Sequence, residues 1–219
     1  MQMQGKRGLA AALSLVGIGA VTLLTTPGTA TAHSAPSAPA VARVEPLNNS
    51  GVRGTAHASV RVSGDRIDVR VRAGGLLLRQ PHAMHIHFSP NAKHQCPTVR
   101  QDRNRDHRLN VVEGVPQYGA IAVSLTTRGD TSPKSGLAVD RFLTTPRGVL
   151  NYSRGGIKVS KSVAAAIKRG EAVVVIHGLD YNQNLKYDMA GAGASELNPA
   201  LPAEATDPAA CGVLRAHKH

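Results

Sequence analysis

A regular alternation of apolar and polar side chains between residues 55 and 72 is the feature that most limits what this chain can fold into. Successive side chains of a β-strand point to opposite faces, so a period of two collects the apolar ones on a single face. The stretch therefore predicts a β-hairpin with one dry face and one wet face, turning at residues 63–65. The apolar positions are Ala56, Ala58, Val60, Val62, Ile67, Val69 and Val71.

Other short apolar runs extend the β pattern along the chain. Further strands are expected within residues 84–88, 119–125, 139–143, 149–152 and 172–176. The one convincing helix covers residues 159–168, with Gly170 as its C-terminal stop. Many short strands, long loops and one brief helix predict an all-β domain built as a β-sandwich or flattened barrel.

The N-terminus has the three-part pattern of a secretory signal peptide. Lys6 and Arg7 precede an apolar run over residues 9–24, and an A-x-A cleavage site ends at Ala32. The expected organisation is a signal peptide over 1–32, a flexible leader rich in Ala, Pro and Ser over 33–49, and one domain over 50–219. The protein is therefore expected to be secreted, outside the cell or in its envelope, with no membrane segment once the signal is removed.

The chain is strongly basic. Its formal net charge is +12, and removal of Lys6 and Arg7 with the signal peptide leaves +10. Such a charge attracts anions, including an anionic cell-surface polymer. Aromatic residues make up only 3% of the chain, Trp is absent, and the basic residues are scattered along the sequence. The stacking platforms and basic patches of a specific nucleic-acid binder are therefore missing.

A His-x-His pair marks the candidate site. In a strand, His85 and His87 share one face while Met84, Ile86 and Phe88 share the other. The two imidazoles then stand about 7 Å apart at the backbone, within reach of one metal ion. Imidazole suits copper and zinc in particular. A surface His pair beside a hydrophobic strand is the plainer interpretation of the same pattern.

Two cysteines, Cys96 and Cys211, remain in a chain expected to enter an oxidising compartment. An even count in that setting predicts one disulfide. The alternative is a free catalytic thiol, but no basic cluster stands beside either cysteine to activate it.

Residues 82–87, H-A-M-H-I-H, resemble the H-G-F-H-V-H strand of copper/zinc superoxide dismutases. Cys96 follows the second metal His by nine residues, as in that family. Residues 173–177 resemble a later family strand that ends in a copper ligand, and residues 210–213, A-C-G-V, resemble the segment with the second half-cystine. The resemblance implies a Greek-key fold, copper ligands at His85, His87 and His177, a Cys96–Cys211 disulfide, and superoxide as substrate. It leaves His82 as a structural residue.

The sequence departs from that family at the second metal. The position of the metal-bridging His is Asp102, and the position of the Arg that guides superoxide is Pro208. His94 and His107 are the nearby imidazoles, and neither matches a zinc ligand clearly. These departures argue against a zinc site. They leave a three-His copper site whose fourth ligand is open among His94, His107, Asp102 and water.

A second resemblance competes with the first. The hairpin, Gly75-Leu76, the His-x-His strand and residues 119–125 are also similar to the chordin-type (CHRD) domain. That family is β-rich and extracellular and has no established catalytic role. This resemblance implies a non-catalytic module for metal handling or surface interaction.

Two polar loops offer oxygen ligands at the spacing of a calcium-binding loop. His107 stands where such a loop needs Gly, and Asp and Asn are also ordinary turn-formers. The candidate ligands are Asp102, Asn104, Asp106, Asn110 and Glu113 in the first loop, and Asp180, Asn182, Asn184 and Asp188 in the second.

The expected function is therefore a secreted copper-binding protein of superoxide dismutase type that dismutes superoxide if it is active. The rival is a non-catalytic extracellular β module, stabilised by calcium. Sequence patterns of Ser-His-Asp hydrolases, H-E-x-x-H metalloproteases and phosphate-binding P-loops are absent.

Overall fold

A computed structural model describes residues 39–216 of the chain, and the predicted signal peptide lies outside them. Within this part the secondary structure is mostly β. The strands are, in chain order, β1 (Ala40–Pro46), β2 (Arg53–Val60), β3 (Arg66–Gly74), β4 (Pro81–His82), β5 (Met84–His87), β6 (Ile121–Ser124), β7 (Leu143–Thr144), β8 (Val149–Lys158), β9 (Val173–His177), β10 (Pro208–Val213) and β11 (Arg215–Ala216). The helices are α1 (Val111–Tyr118), α2 (Lys161–Arg169), α3 (Met189–Ala192) and α4 (Ala203–Thr206).

One antiparallel sheet contains nine of the strands. Eight follow the order β6-β5-β9-β10-β1-β2-β3-β8, and β11 pairs with β1. The short strands β4 and β7 form a separate pair. Side chains from both ends of the order, such as Ile86 and Val123 at one end and Ile67 and Leu150 at the other, meet in one buried cluster. The sheet therefore curls into a half-barrel around that core, and the all-β prediction is confirmed.

The predicted hairpin is present with the expected faces. Ala56, Ala58, Ile67 and Val69 are at most 1% exposed, and β2 pairs with β3 residue by residue. Val62 is the exception, since β2 ends at Val60 and the Val62 side chain is 65% exposed in the turn.

The predicted leader over 33–49 is wrong in its second half. Residues 40–46 form β1, which pairs with both β2 and β10 near the centre of the sheet. Ala40, Ala42 and Val44 are buried, so this segment alternates like any half-buried strand. The Ala, Pro and Ser of the residues before it suggested a linker, but pairing on both sides makes this segment a strand.

The prediction of a single helix is also wrong, although α2 begins and ends close to the expected bounds. Gly170 follows it in the left-handed conformation with φ of +77° and caps its last turn. The missed helix α1 contains Gly114 and Pro116, which hid it from pattern analysis. A capping box formed by Asn110 and Glu113 starts it.

Candidate metal centre

The pairing of β5 with β9 places three histidines on one face of the sheet. His85 lies opposite Val175 and His87 opposite Val173, so these residues share a face. His177 belongs to the same face because it is two residues beyond Val175. The other face of both strands, with Met84 and Ile176 paired across them, enters the main core. The register of two strands thus joins residues that are about ninety positions apart.

The three imidazole rings form one compact, buried cluster. The ring centroids are 5.6 Å apart for His85 and His87, 5.0 Å for His85 and His177, and 6.1 Å for His87 and His177. Each residue is at most 3% exposed. Burial of three basic groups beside one another is costly unless a specific arrangement compensates for it.

Each ring hydrogen-bonds to a backbone carbonyl through one nitrogen. The Nε2 of His85 donates to the oxygen of Gly136 at 3.0 Å, the Nδ1 of His87 to Gly119 at 2.9 Å, and the Nδ1 of His177 to Thr206 at 2.6 Å. A carbonyl oxygen can only accept, so each of these ring nitrogens carries the hydrogen. These bonds fix the tautomer and the rotation of each ring.

The second nitrogen of each ring has no partner within the described chain. These atoms are the Nδ1 of His85 and the Nε2 atoms of His87 and His177. In the fixed tautomers each bears a free lone pair. The ligand atoms of the three residues lie within 4.8 Å of one another, and among residues 39–216 no other group of His, Cys, Asp and Glu converges in this way. Three neutral imidazoles that bring one nitrogen each this close together are the donor set of a metal site.

The electrostatics favour the unprotonated form that a metal needs. Burial is the main cause that lowers the pKa of His87 to about 3 and of His177 to about 4. Burial also lowers the pKa of His85 well below its ordinary value, and the two neighbouring imidazoles lower it further. All three rings are therefore neutral near pH 7.

Aromatic contacts hold the cluster from the sides. The ring of Tyr118 meets His87 at 4.5 Å between centroids, and Phe142 meets His85 at 5.5 Å, both edge to face. Tyr118 is fully buried and its hydroxyl donates to the carbonyl of Val111 at 3.2 Å.

The two other candidate imidazoles do not join the cluster. His94 stacks on Phe88 with centroids 5.4 Å apart, and its Nε2 lies 2.9 Å from the carbonyl oxygen of Ser89. His107 is exposed on a loop with a positive φ of 65°. The structure therefore gives no support to either as a fourth ligand.

The first predicted calcium loop is organised by its own hydrogen bonds. Glu113 accepts from the backbone N–H groups of Arg103 and Asn110, and Asp102 accepts from that of His107. The side chains of Asp102, Asp106 and Glu113 do not converge on one point. Asn110 and Glu113, which the sequence suggests as calcium ligands, form the capping box of α1.

In the second predicted calcium loop, too, the carboxylates accept hydrogen bonds from amide groups of the loop itself. Asp180 accepts from the backbone N–H groups of Asn184 and Leu185. Asp188 caps α3 and accepts from the side-chain amide of Asn182. These are the turn and cap roles in which Asp and Asn are common.

The predicted disulfide is present. Cys96 and Cys211 are bonded, with their Cα atoms 5.7 Å apart and 115 positions between them in the chain. Cys211 lies in β10, and Cys96 lies in the long loop between β5 and α1. Cys211 belongs to a second buried cluster that includes Val173 and Val175 of β9, and Cys96 packs against it. The bond therefore ties the loop to β10, which pairs with the strand that carries His177.

Sequence analysis missed the residues that orient the rings. Gly119, Gly136 and Thr206 act through their carbonyl oxygens, which every residue possesses. Tyr118 was missed because it falls within an unrecognised helix. No local pattern identifies such partners, since only the folded chain brings them to the rings.

Known proteins that are similar to this chain are found among solved structures. No protein-family model matches the chain, and no curated protein matches it. Among solved structures, the chain is similar to a double mutant of a superoxide dismutase-like protein from Bacillus subtilis, at 15% identity and a TM-score of 0.42. The match covers 82% of this chain and 99% of that one. Among residues 39–216, no helix has the length and apolar character needed to cross a bilayer.

Proposed function

We propose that this protein binds one copper ion through His85, His87 and His177. One observation carries the proposal: three buried imidazoles each donate to a backbone carbonyl and keep the other nitrogen without a partner, and one nitrogen of each ring lies within 4.8 Å of the other two. Preset tautomers and neutral rings spare the site the cost of reorganising or losing a proton when a metal binds. Copper is the first choice because imidazole suits it and because it binds most tightly of the divalent first-row metals to a given set of ligands.

Bound copper would supply one-electron redox chemistry. The reaction proposed for it is dismutation, in which two superoxide ions and two protons give one dioxygen and one hydrogen peroxide. The protein's own part is to hold the three rings in their orientation through the hydrogen bonds to Gly136, Gly119 and Thr206. Export of the chain, expected from residues 1–32, belongs to the same proposal.

Metal stoichiometry tests the proposal directly. The chelator-treated protein is titrated with Cu²⁺, and bound metal is measured by native mass spectrometry after desalting. We expect one retained ion per chain and a higher melting temperature, since a ligand at a hundred times its Kd stabilises the folded state by about 2.7 kcal/mol. Removal of the ion with a chelator should reverse the shift.

Matched variants locate the ion. His177→Ala should abolish retention, while His57→Ala, on the exposed side of β2, should leave it unchanged. Equal retention by the wild type and His177→Ala would overturn the site. Superoxide loss measured on the loaded protein separates an enzyme from a metal-handling protein. Failure to retain any copper would favour the non-catalytic module that the chordin-type resemblance implies.

A further inference from the structure

The histidine cluster forms the floor of an open cleft of about 330 Å³. This volume is at the lower end of the range in which proteins bind small organic molecules. Most of the lining is apolar. Besides the three histidines, the walls include Ile121, Leu137, Val139, Leu197 and Leu201.

Three large apolar side chains stand half-exposed at this cleft. Leu137 is 37% exposed, Val139 42% and Leu197 41%. They come from two separate loops, one after β6 and one between α3 and α4, that approach each other over the histidines. Apolar groups left in water on two converging loops gain when a ligand covers them. We call these three residues the apolar rim.

Both loops are held in place by hydrogen bonds. In the first loop, Asp130 accepts from the hydroxyls of Ser132 at 2.7 Å and Ser135 at 2.6 Å. In the second, Thr206 donates to the hydroxyl of Ser195 at 2.7 Å, and Ala194 and Pro202 form an isolated β-bridge. A preorganised cleft loses less conformational entropy when it binds a ligand.

Lys134 is the one charged residue of the lining. It is exposed and forms no ion pair within residues 39–216. The other lining side chains that carry polar groups are the three histidines and Thr206. An occupant therefore meets apolar walls and one cation beside them.

We propose that this cleft binds a small organic carboxylate. Its apolar body lies between the rim and the histidine floor, and its carboxylate pairs with Lys134. A bare, strongly hydrated anion would gain nothing from the apolar walls, whereas a molecule with an apolar body buries its surface against them. This proposal goes beyond the proposed function. It assigns a ligand to the walls of the cleft, whereas the proposed function concerns the metal ligands on its floor.

The test uses 2-naphthoate as the probe, added to the ¹⁵N-labelled protein without metal and again with Zn²⁺ as a diamagnetic substitute for copper. We expect saturable binding, with amide shifts concentrated in residues 133–139 and 195–201. Leu197→Asp should weaken binding at least tenfold, because it places a second carboxylate against the apolar body. Val62→Asp is the matched control, since Val62 is equally apolar, 65% exposed and distant in the turn after β2; it should bind like the wild type.

A separate comparison tests the role of Lys134. Lys134→Gln should weaken the binding of 2-naphthoate by about 1.5- to 5-fold, which is the range expected for loss of an exposed ion pair. The neutral 2-naphthamide should bind the wild type more weakly than 2-naphthoate does and should not distinguish the wild type from Lys134→Gln.

Three results would overturn the proposal. The first is the absence of saturable binding, and the second is equal binding by Leu197→Asp and the wild type. The third is equal affinity for naphthamide and naphthoate, which would remove the carboxylate from the assignment. Copper retention does not enter these measurements, so failure of the metal site and failure of the cleft are distinguishable.

Discussion

The Nδ1 atom of His82 lies 2.9 Å from the backbone carbonyl oxygen of His177, 95 positions further along the chain. The other ring nitrogen, Nε2, lies 3.1 Å from the carbonyl oxygen of Leu77. His82 is fully buried and belongs to β4, outside the metal-site cluster. It therefore supports the end of β9, where His177 stands, without facing the shared point of the three rings.

His82→Ala should destabilise the protein while leaving its metal stoichiometry intact. The neutral ring has one N–H, so the variant removes the donor of one of these two carbonyl groups, and an unsatisfied carbonyl of this kind costs about 1–3 kcal/mol. Urea denaturation of the chelator-treated protein measures this loss. His57→Ala serves as the control because His57 is exposed. A variant that folds by circular dichroism yet retains no copper would instead make His82 a ligand.

Loss of the disulfide should lower stability by several kcal/mol. A bond that closes 115 positions of chain is worth about 4–5 kcal/mol on the chain-entropy account. We expect the double variant Cys96→Ala, Cys211→Ala to unfold at a lower urea concentration than the oxidised wild type. Alanine is chosen because Cys211 is 2% exposed and a serine hydroxyl would be buried there. Reductant should lower the urea midpoint of the wild type and leave that of the double variant unchanged. Coincident urea midpoints for all samples would contradict the prediction.

Asp207 should make stability fall as pH rises. Burial raises the pKa of this carboxyl to about 7, although the hydroxyl of Tyr181 donates to it at 3.0 Å and Arg108 lies 3.5 Å away. The carboxyl ionises near pH 4 in the unfolded chain, so between pH 4 and 7 the folded state holds a proton that the unfolded state has lost. The contribution of Asp207 to stability therefore declines across that window, whereas the buried histidines, whose pKa values are lowered, act in the opposite direction below about pH 6.5.

The matching measurement is the free energy of unfolding of the chelator-treated protein at pH 5 and pH 8. Between pH 5 and pH 8 the free energy of unfolding of the wild type should fall by about 2–3 kcal/mol relative to that of Asp207→Asn. The rate is about 1.4 kcal/mol for each pH unit in the window. Asp140→Asn, which alters an exposed carboxyl, should follow the wild type. Parallel curves for the wild type and Asp207→Asn would show that Asp207 is ionised in the folded state.

Local patterns failed where a tertiary contact overrode them. Residues 40–46 fall within the predicted leader, yet they form β1 between β10 and β2. Helix α1 contains Gly114 and Pro116, which are poor helix formers, but its first turn is capped by Asn110 and its last residue, Tyr118, is fully buried. Packing and capping together compensated for weak intrinsic propensity.

The sequence by itself determined the β class, the buried faces of β2, β3 and β5, and the pairing of the two cysteines. These follow from a period of two in the side chains and from the presence of just two thiols, which are local or purely numerical properties. Only the tertiary structure decided which nitrogen of each histidine is free. That choice depends on the carbonyl groups of Gly119, Gly136 and Thr206, which reach the rings through loops and strand register rather than through any residue-specific pattern.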